Sequence, residues 1–210
     1  MILKTLQLGP MANFVYLIAD GETKECAVVD PAWDVPAILR AVEQEGLKLA
    51  RVLVTHNHPD HINGVAELLA SADVPVHVHG EDAFALKAVQ ENLRPARSGD
   101  KVRLGKLELT FLHTPGHTAG SQCFLVEDRV VTGDTLFIGA CGRVDLPGSD
   151  PEKMYQSLKR LSQLPAKTLI LPGHDYGEVP TATVEEERRR NRYLQAAAGG
   201  LDDFLALTGA

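Results

Sequence analysis

The feature that most constrains the fold of this chain is a run of polar residues directly behind an apolar, β-rich segment. The segment "RVLVT" at 51–55 is followed by "HNHPDH", so His56, His58, Asp60 and His61 lie within six residues. Histidine and aspartate are poor helix formers, and each costs free energy when it is buried without a partner. We therefore expect the run to lie in a loop at the end of a buried strand, with a partner that all four side chains share.

Three more segments end in a similar way. His117 follows the run "LELTFLH" in "TPGHT", Asp134 stands near the end of "VVTGDT", and His174 follows the apolar start of "LILPGHD". A glycine directly precedes each of these residues, and glycine lets the backbone turn sharply or approach a neighbour closely. If the four strands share an edge, five histidines and two aspartates converge there.

This set of residues matches the donors of a metal site. Neutral imidazole suits zinc and iron, and a carboxylate can bridge two ions. One zinc ion takes three or four protein ligands, so seven ligands suit two divalent ions with Asp134 shared between them. Two ions about 3.5–4 Å apart can hold a hydroxide between them and polarise a carbonyl group. We predict two ions, zinc in the first place with iron or manganese as alternatives, and a structural role for His77, His79 and His113.

Alternating strand and helix patterns predict the architecture. Apolar runs bounded by Gly, Asp or Pro predict strands at 14–19, 26–30, 51–55 and 74–79, and in the second half at 101–104, 107–114, 122–127, 129–134 and 167–172. Helical spacing predicts helices over 35–45, 65–69 and 81–90, and N-caps at Asp150 and Thr183 predict two more. We predict one domain over residues 1–210, an α+β sandwich in which two sheets pack together and helices cover their outer faces.

Composition argues against several classes of partner. The net charge of −7 repels phosphate backbones, and no apolar run approaches the ~20 residues that span a membrane, so we expect neither nucleic acid nor membrane as a partner. The N-terminus has no basic stretch followed by a long apolar core, and we expect no signal peptide. Cys26, Cys123 and Cys141 are odd in number and far apart, which predicts free thiols in a reducing compartment and hence a cytoplasmic location.

The motifs "THNHPDH", "TPGHT", "TGDTLF" and "PGHDYG", in this order, resemble those of the metallo-β-lactamase superfamily over nearly the whole chain. The resemblance implies a four-layer αβ/βα sandwich with a metal site at one edge. It also implies how the ligands divide between the two ions. The first ion would be held by His56, His58 and His117, and the second by Asp60, His61 and His174, with Asp134 as the bridge.

Two longer stretches, "NFVYLIADGETKECAVVDPA" and "VVTGDTLFIGACGRVDLPG", are similar to glyoxalase II, the hydroxyacylglutathione hydrolase. This resemblance implies hydrolysis of a small-molecule thioester. A metal-bound hydroxide attacks the thioester carbonyl, one metal stabilises the oxyanion, and Asp60 orients the hydroxide as well as binding metal.

The resemblance also implies two substrate contacts, Arg143 and Tyr176, because glyoxalase II has a basic residue and a tyrosine at these positions. Asp145 stands where glyoxalase II has a tyrosine, and the sequence lacks most of the C-terminal domain that supplies further basic residues there. Both departures weaken the match to a glutathione site, so the expected carrier is widened to glutathione or a similar thiol. The alternative roles are an ion pair between Arg143 and Asp145, and packing for Tyr176.

Two other functions stay open at this point. The stretches "ACGRVD" and "HDYGEVPTATVEEERRRN" resemble the persulfide dioxygenases, which hold one iron with two histidines and one aspartate. The matching residues are His56, His117 and Asp134, which form a subset of the two-metal ligands. A non-catalytic metal-binding module is the third hypothesis. It would be indicated by a missing ligand, and none is missing.

Overall fold

The computed structural model of the chain describes residues 1–209, so the predicted domain end at residue 210 lies just outside it. The strands of this part are β1 (Ile2–Leu8), β2 (Asn13–Ala19), β3 (Glu25–Val29), β4 (Lys48–Leu53), β5 (Val76–His79), β6 (Leu93–Ala96), β7 (Lys101–Leu104), β8 (Leu107–His113), β9 (Gln122–Val126), β10 (Arg129–Gly133), β11 (Leu136–Phe137), β12 (Ala140–Cys141), β13 (Leu169–Pro172) and β14 (Ala182–Thr183). They form one six-stranded sheet in the order β1-β2-β3-β4-β5-β6, a second in the order β14-β13-β10-β9-β8-β7, and the small ribbon β11-β12.

The helices lie on the outer faces of the two sheets. They are α1 (Val35–Gln44), α2 (Pro59–Ile62), α3 (Val65–Ser71), α4 (Pro151–Ser162), α5 (Val184–Arg190), α6 (Arg192–Gly199) and α7 (Leu201–Thr208), with a 3-10 helix over Gly80–Asn92. Among residues 1–209, no helix combines the length and the apolar character that crossing a bilayer requires.

Strand β2 shows how one apolar run contributes to two separate cores. Every residue of β2 is buried, and its side chains alternate between the two faces of the first sheet. Val15 and Leu17 pack outward against α1 and α3, whereas Phe14 and Tyr16 pack inward against the second sheet. A third core lies between the second sheet and the helices α4, α6 and α7. The result is the predicted four-layer αβ/βα sandwich, which is confirmed.

The strands that precede the polar motifs end at one edge of this sandwich. Strand β10 runs parallel to β13 and antiparallel to β9, which in turn is antiparallel to β8, so β8, β10 and β13 share one direction. Strand β4 of the first sheet ends beside them, because Gln122 at the start of β9 donates from its backbone to Thr55 and from its side chain to Val54. The hydroxyl of Tyr16 donates to the carbonyl of Pro172 at 2.7 Å and ties the sheets together at this edge.

Local signals in the sequence located two helix starts correctly. Asp150 caps α4 by accepting a hydrogen bond from the backbone of Lys153, and Pro151 follows it at the first helical position. Thr183 and Glu186 form the reciprocal capping box at the start of α5. The backbone N–H of Asp150 also donates to Gly116 at 2.8 Å, so α4 supports the loop that carries His117.

Other elements differ from the sequence prediction. The helix predicted at 81–90 is a 3-10 helix with kinks at Leu86 and Val89, because its apolar residues do not form one stripe and Phe84 lies exposed. The one helix predicted from Thr183 is three helices, because Asn191 ends α5 and caps α6 with its own side chain, and Gly200 separates α6 from α7. Strands β1, β6, β11, β12 and β14 were not predicted; β6 is an edge strand and contains a proline.

Candidate metal centre

Four loops bring the seven predicted ligands together at one edge of the sandwich. The loop after β4 carries the first four, and Pro59 at the first position of the short helix α2 fixes the turn between His58 and Asp60. The others follow β8, β10 and β13. All five histidines and both aspartates of the set therefore meet where the sequence predicted that they would.

Three of the imidazoles form a first group. Ligand atoms of His56, His58 and His117 all lie within 4.8 Å of one another, and His117 Nε2 is 2.9 Å from His58 Nδ1. The outer nitrogens of two of these rings have fixed partners, since His56 Nδ1 lies 2.9 Å from Thr55 Oγ1 and His117 Nδ1 lies 2.9 Å from the carbonyl of Arg143. Such partners set the ring orientation and aim the second nitrogen of each ring into the cluster.

A second group consists of Asp60, His61 and His174. Asp60 Oδ2 lies 3.4 Å from Nε2 of both histidines, and these two nitrogens are 3.1 Å apart. The outer nitrogens are again held, by Asp30 Oδ2 at 2.9 Å from His61 Nδ1 and by the carbonyl of Met11 at 2.8 Å from His174 Nδ1. Each group thus offers three convergent donors of the kind that binds zinc or iron.

Asp134 lies between the two groups. Its Oδ2 is 3.5 Å from His117 Nε2 and 3.4 Å from His174 Nε2, and its Oδ1 is 3.3 Å from His61 Nε2. The approach is this close because Gly173 has no side chain, and a Cβ there would lie 2.3 Å from Asp134 Oδ1. One carboxylate therefore faces donors of both groups, which is the geometry of a bridging ligand.

Two orphaned atoms test whether this arrangement fits a metal. His56 Nε2 and Asp134 Oδ1 are buried, and neither makes a hydrogen bond within residues 1–209. A buried polar atom without a partner costs about 1–3 kcal/mol, so native proteins rarely retain one without a reason. Both atoms point into the cluster and both are good metal donors, and the residues therefore fit divalent ions.

The charges in the cluster support the same interpretation. Burial alone would lower the pKa of His61, but the carboxylates of Asp134 and Asp30 outweigh it and raise that pKa to about 9. Burial alone would raise the pKa of Asp134, but the imidazoles of His61 and His56 bring it well below its usual range. The carboxylates therefore favour positive charge beside them, which a divalent cation supplies in concentrated form.

The two predicted substrate contacts lie at the rim of the cluster. Tyr176 is 54% exposed, and its ring stacks on His174 with centroids 4.6 Å apart and planes 10° apart. Arg143 extends into solvent and makes two bonds of 2.9 Å to the carboxylate of Asp145. Its backbone carbonyl, not its side chain, contacts His117, one of the predicted ligands.

The remaining three histidines lie outside the metal cluster. His77 Nε2 lies 3.4 Å from the guanidinium of Arg51, and His79 stacks on His113 with ring centroids 3.9 Å apart. The structural role predicted for these three stays a prediction.

Several residues that hold the ligands were missed in the sequence. Asp30 binds His61 and accepts from both the backbone and the hydroxyl of Thr55. Asn13 contacts Asp60, and Asp82 holds the loop that carries His56 and His58 by accepting from Asn57 N at 3.0 Å. A signal existed for Asp30, which ends a predicted strand as the ligands do. Asn13 and Asp82 stand alone in the sequence, and no motif marks them.

Comparisons with known proteins agree with this geometry. A family model described as the metallo-beta-lactamase superfamily matches residues 8–174. The chain is 31% identical over 185 residues to the probable polyketide biosynthesis zinc-dependent hydrolase BaeB of Bacillus velezensis, which covers 88% of this chain and 82% of that protein. It is 42% identical over 166 residues to the hydroxyacylglutathione hydrolase of Tolumonas auensis, which covers 78% of this chain but only 62% of that enzyme. The crystal structure of ETHE1 from Myxococcus xanthus matches with a TM-score of 0.90 and 34% identity, covering 100% of this chain and 90% of that one.

Proposed function

Because the chain belongs to the metallo-beta-lactamase superfamily, we propose that it is a metal-dependent hydrolase that cleaves S-acyl thioesters of glutathione or of a similar thiol. The observation that carries the proposal is the second group of ligands. Asp60, His61 and His174 converge beside Asp134, and a second ion gives all of them a joint purpose. The similarity to a hydroxyacylglutathione hydrolase supports the choice of thioesters.

The proposed roles of the seven ligands follow from the two groups. His56, His58 and His117 would hold one ion, Asp60, His61 and His174 the other, and Asp134 both. When bound, the ions, zinc or else iron or manganese, would polarise the thioester carbonyl and make water a nucleophile at neutral pH. The zinc-dependent hydrolase among the relatives supports zinc.

Residues of this chain would supply the orientation that the reaction needs. Asp60 is the one proposed ligand with a carboxylate free of the bridging position, and it would orient the attacking water by accepting a hydrogen bond from it. Asp30 and the Met11 carbonyl keep the rings of His61 and His174 aimed inward while the reaction proceeds. Burial of His56, His61 and His174 limits competing water at the inner side of the cluster.

Substrate contacts are proposed at the rim. Tyr176 presents an exposed ring beside His174, where the thiol part of a substrate would lie. The guanidinium of Arg143 could hold a substrate carboxylate with two parallel bonds if it released Asp145. This exchange is easy, because an exposed ion pair contributes little to stability.

A second candidate function is favoured by the match to ETHE1, a persulfide dioxygenase, over the whole of this chain. In that case one iron would be held by His56, His117 and Asp134, and the other four residues would serve as hydrogen-bonding neighbours. The two functions differ in the role of the second group. The hydrolase would need it to bind the second ion, whereas the dioxygenase would use it only for hydrogen bonds.

An experiment on His61 separates the two. Protein purified without added metal is assayed for metal per chain, for cleavage of S-lactoylglutathione in its zinc form, and for oxygen uptake with glutathione persulfide in its iron form. We expect about two ions per chain and thioester cleavage that His61→Ala abolishes. The matched control is His77→Ala, a histidine of the neighbouring strand outside the cluster, which should retain both metals. One iron per chain, with rapid oxygen uptake that survives His61→Ala, would establish the dioxygenase instead.

A further inference from the structure

Asn13, at the start of β2, joins the second ligand group to the protein surface through its side-chain amide. The side chain is buried, and its Nδ2 donates both to Asp60 Oδ2 at 2.9 Å and to the backbone carbonyl of Asp60 at 3.0 Å. Its Oδ1 accepts a hydrogen bond from Trp33 Nε1 at 2.8 Å. Asn13 thus uses both amide hydrogens on Asp60 and its oxygen on Trp33.

The chemistry of the three groups fixes the direction of this chain of bonds. An indole N–H can only donate, and an ionised carboxylate can only accept. The amide of Asn13 must therefore turn its oxygen to Trp33 and its nitrogen to Asp60. Trp33 consequently selects the orientation of the amide, and the amide in turn selects the rotamer of Asp60 that places Oδ2 beside His61 and His174.

Trp33 itself is held in a costly conformation. Its φ is +67°, which bulky residues rarely adopt, and such strain persists only where the surroundings determine it. The backbone N–H of Trp33 donates to Asn63 Oδ1 at 2.8 Å. The indole lies so close to Gly9 that a Cβ there would be 2.4 Å from the ring. These contacts place the indole N–H where Asn13 needs it.

The segment around Asn13 also supports the other histidine of the group. The Met11 carbonyl accepts from His174 Nδ1, and the backbone of Asn13 pairs with that of His174 as an isolated bridge. One short turn of the chain therefore orients Asp60 through a side chain and His174 through a carbonyl. Within residues 1–209, no hydrogen bond joins the first group to this segment.

We propose that Asn13 and Trp33 are positioning residues for the Asp60–His61–His174 metal group, acting through the bonds Trp33 Nε1 to Asn13 Oδ1 and Asn13 Nδ2 to Asp60 Oδ2. The inference rests on the two-metal site of the proposed function. Loss of a partner that orients a metal ligand typically costs about 10–100-fold in metal affinity. Asn13→Ala should therefore weaken one of the two ions selectively.

The test is a titration with metal in which the fluorescence of Trp33 reports binding. Trp33 is the one tryptophan of the sequence, so the intrinsic fluorescence excited at the indole band comes from it. Metal-free protein is titrated with Zn²⁺ while Trp33 emission and bound zinc are both recorded. Asp60→Ala identifies the phase that belongs to the second group, because that phase disappears when a ligand is removed. We expect Trp33 emission in the unmodified chain to change in this phase.

The variants are Asn13→Ala, Trp33→Phe and the control Asn92→Ala. Asn92 makes the same pair of bonds far from the cluster, donating to Asp73 Oδ1 at 2.7 Å and to the carbonyl of Val74 at 3.1 Å. Asn13→Ala should weaken the second-group phase about 10–100-fold and leave the other phase unchanged. Trp33→Phe, followed by bound zinc alone, should weaken the same phase less, because Asn13 is still present. Asn92→Ala should change neither phase.

The proposal fails if Asn13→Ala binds both equivalents as tightly as the unmodified chain, or if it weakens both phases equally, as a general structural role would. If Asn13→Ala does not fold, Trp33→Phe decides, and an unchanged second-group phase then overturns the proposal. None of these measurements uses a thioester. Absence of hydrolysis with a selective loss of one phase would refute the proposed function and leave the positioning role established.

Discussion

Two ends of the sandwich each bury an aspartate carboxylate, and the partners of the two carboxylates differ. At the metal edge, Asp134 faces imidazoles, and its Oδ1 makes no hydrogen bond within residues 1–209. At the opposite end, Asp20 follows β2 and accepts from three backbone N–H groups, those of Glu22 and Thr23 at 2.8 Å and that of Lys106 at 2.9 Å. The second carboxylate is satisfied by hydrogen-bond donors of the chain itself.

The difference distinguishes a buried carboxylate that could bind a metal from one that is already satisfied by the chain. Backbone N–H groups satisfy a carboxylate by donating hydrogen bonds to it. Imidazole nitrogens that face a carboxylate can instead bind a cation together with it. Location at the same edge as the cluster does not by itself make a carboxylate available to a metal. Asp82 lies there too, yet it accepts from the backbone of Asn57 and Gly120 and from the hydroxyl of Thr118, and so resembles Asp20.

The largest effect should come from Asp134→Ala, which removes the carboxylate between the two groups. Both ions should be lost, because a shared carboxylate screens two like charges that otherwise repel. Thioester cleavage should fall by more than the ~100-fold that loss of an outer partner can cost. Metal analysis by mass spectrometry after gel filtration measures this. Retention of both ions would contradict the contrast drawn between the two carboxylates, because Asp134 would then not bridge the ions.

Asp82→Ala tests whether a carboxylate at the metal edge can be structural. The backbone N–H groups of Asn57 and Gly120 would lose their acceptor, and at about 1–3 kcal/mol each the variant should lose about 2–6 kcal/mol of unfolding free energy. Because Asn57 lies between His56 and His58, the affinity for metal should also fall. Urea unfolding of the metal-free protein, followed by a zinc titration, measures both. A stability equal to that of the unmodified chain would contradict the assignment.

Asp20→Asn tests the opposite end through acid stability. The backbone N–H groups of Thr23 and Lys106 lower the pKa of Asp20 to about 2, below the ~3.9 of an unfolded aspartate. The ionised carboxylate therefore stabilises the fold above a pH of about 4, and this contribution is lost as the pH falls toward 2.

The variant should unfold at lower urea concentration than the unmodified chain at pH 7, with the gap closing between about pH 4 and 2. Metal binding should be unchanged, which is the sharpest contrast with Asp134. The control is Asp34→Asn at the cap of α1, because asparagine caps a helix as well as aspartate does. A constant gap across this pH range would show that ionisation of Asp20 is not the cause.

The smallest effect on stability should come from Arg143→Ala, at the exposed rim. Its pair with Asp145 is open to solvent, so the unfolding midpoint should not move measurably. If the guanidinium holds the carrier part of a thioester, KM should rise several-fold while kcat stays nearly constant, since a contact remote from the carbonyl is uniform binding. Steady-state kinetics with S-lactoylglutathione measure this. An unchanged KM in an active variant would confine Arg143 to its ion pair.

Local patterns in the sequence were enough to predict which seven polar residues converge at one edge, and most of the strands and helices that carry them. The seven ligands stand in four short motifs, each behind a strand, and strand direction alone brings such motifs to one edge. The apolar run of β2 and the caps at Asp150 and Thr183 are likewise local, because they depend on residues close together in the chain. The 3-10 helix over Gly80–Asn92 and the break at Asn191 were mispredicted, although the lack of a single apolar stripe and the cap formed by Asn191 are local features too.

The sequence by itself therefore determined the four-layer class, the strand-end motifs and the chemistry of their side chains. Only the tertiary structure decided which polar residues orient those ligands. Asn13 meets Asp60 across 47 positions of the chain, and Asp30 meets His61 across 31. A ligand motif can be recognised in the sequence because its residues lie in one turn of the backbone and therefore keep a fixed sequence spacing. A partner contributed from another strand has no fixed spacing, since the packing of two sheets alone brings it within reach.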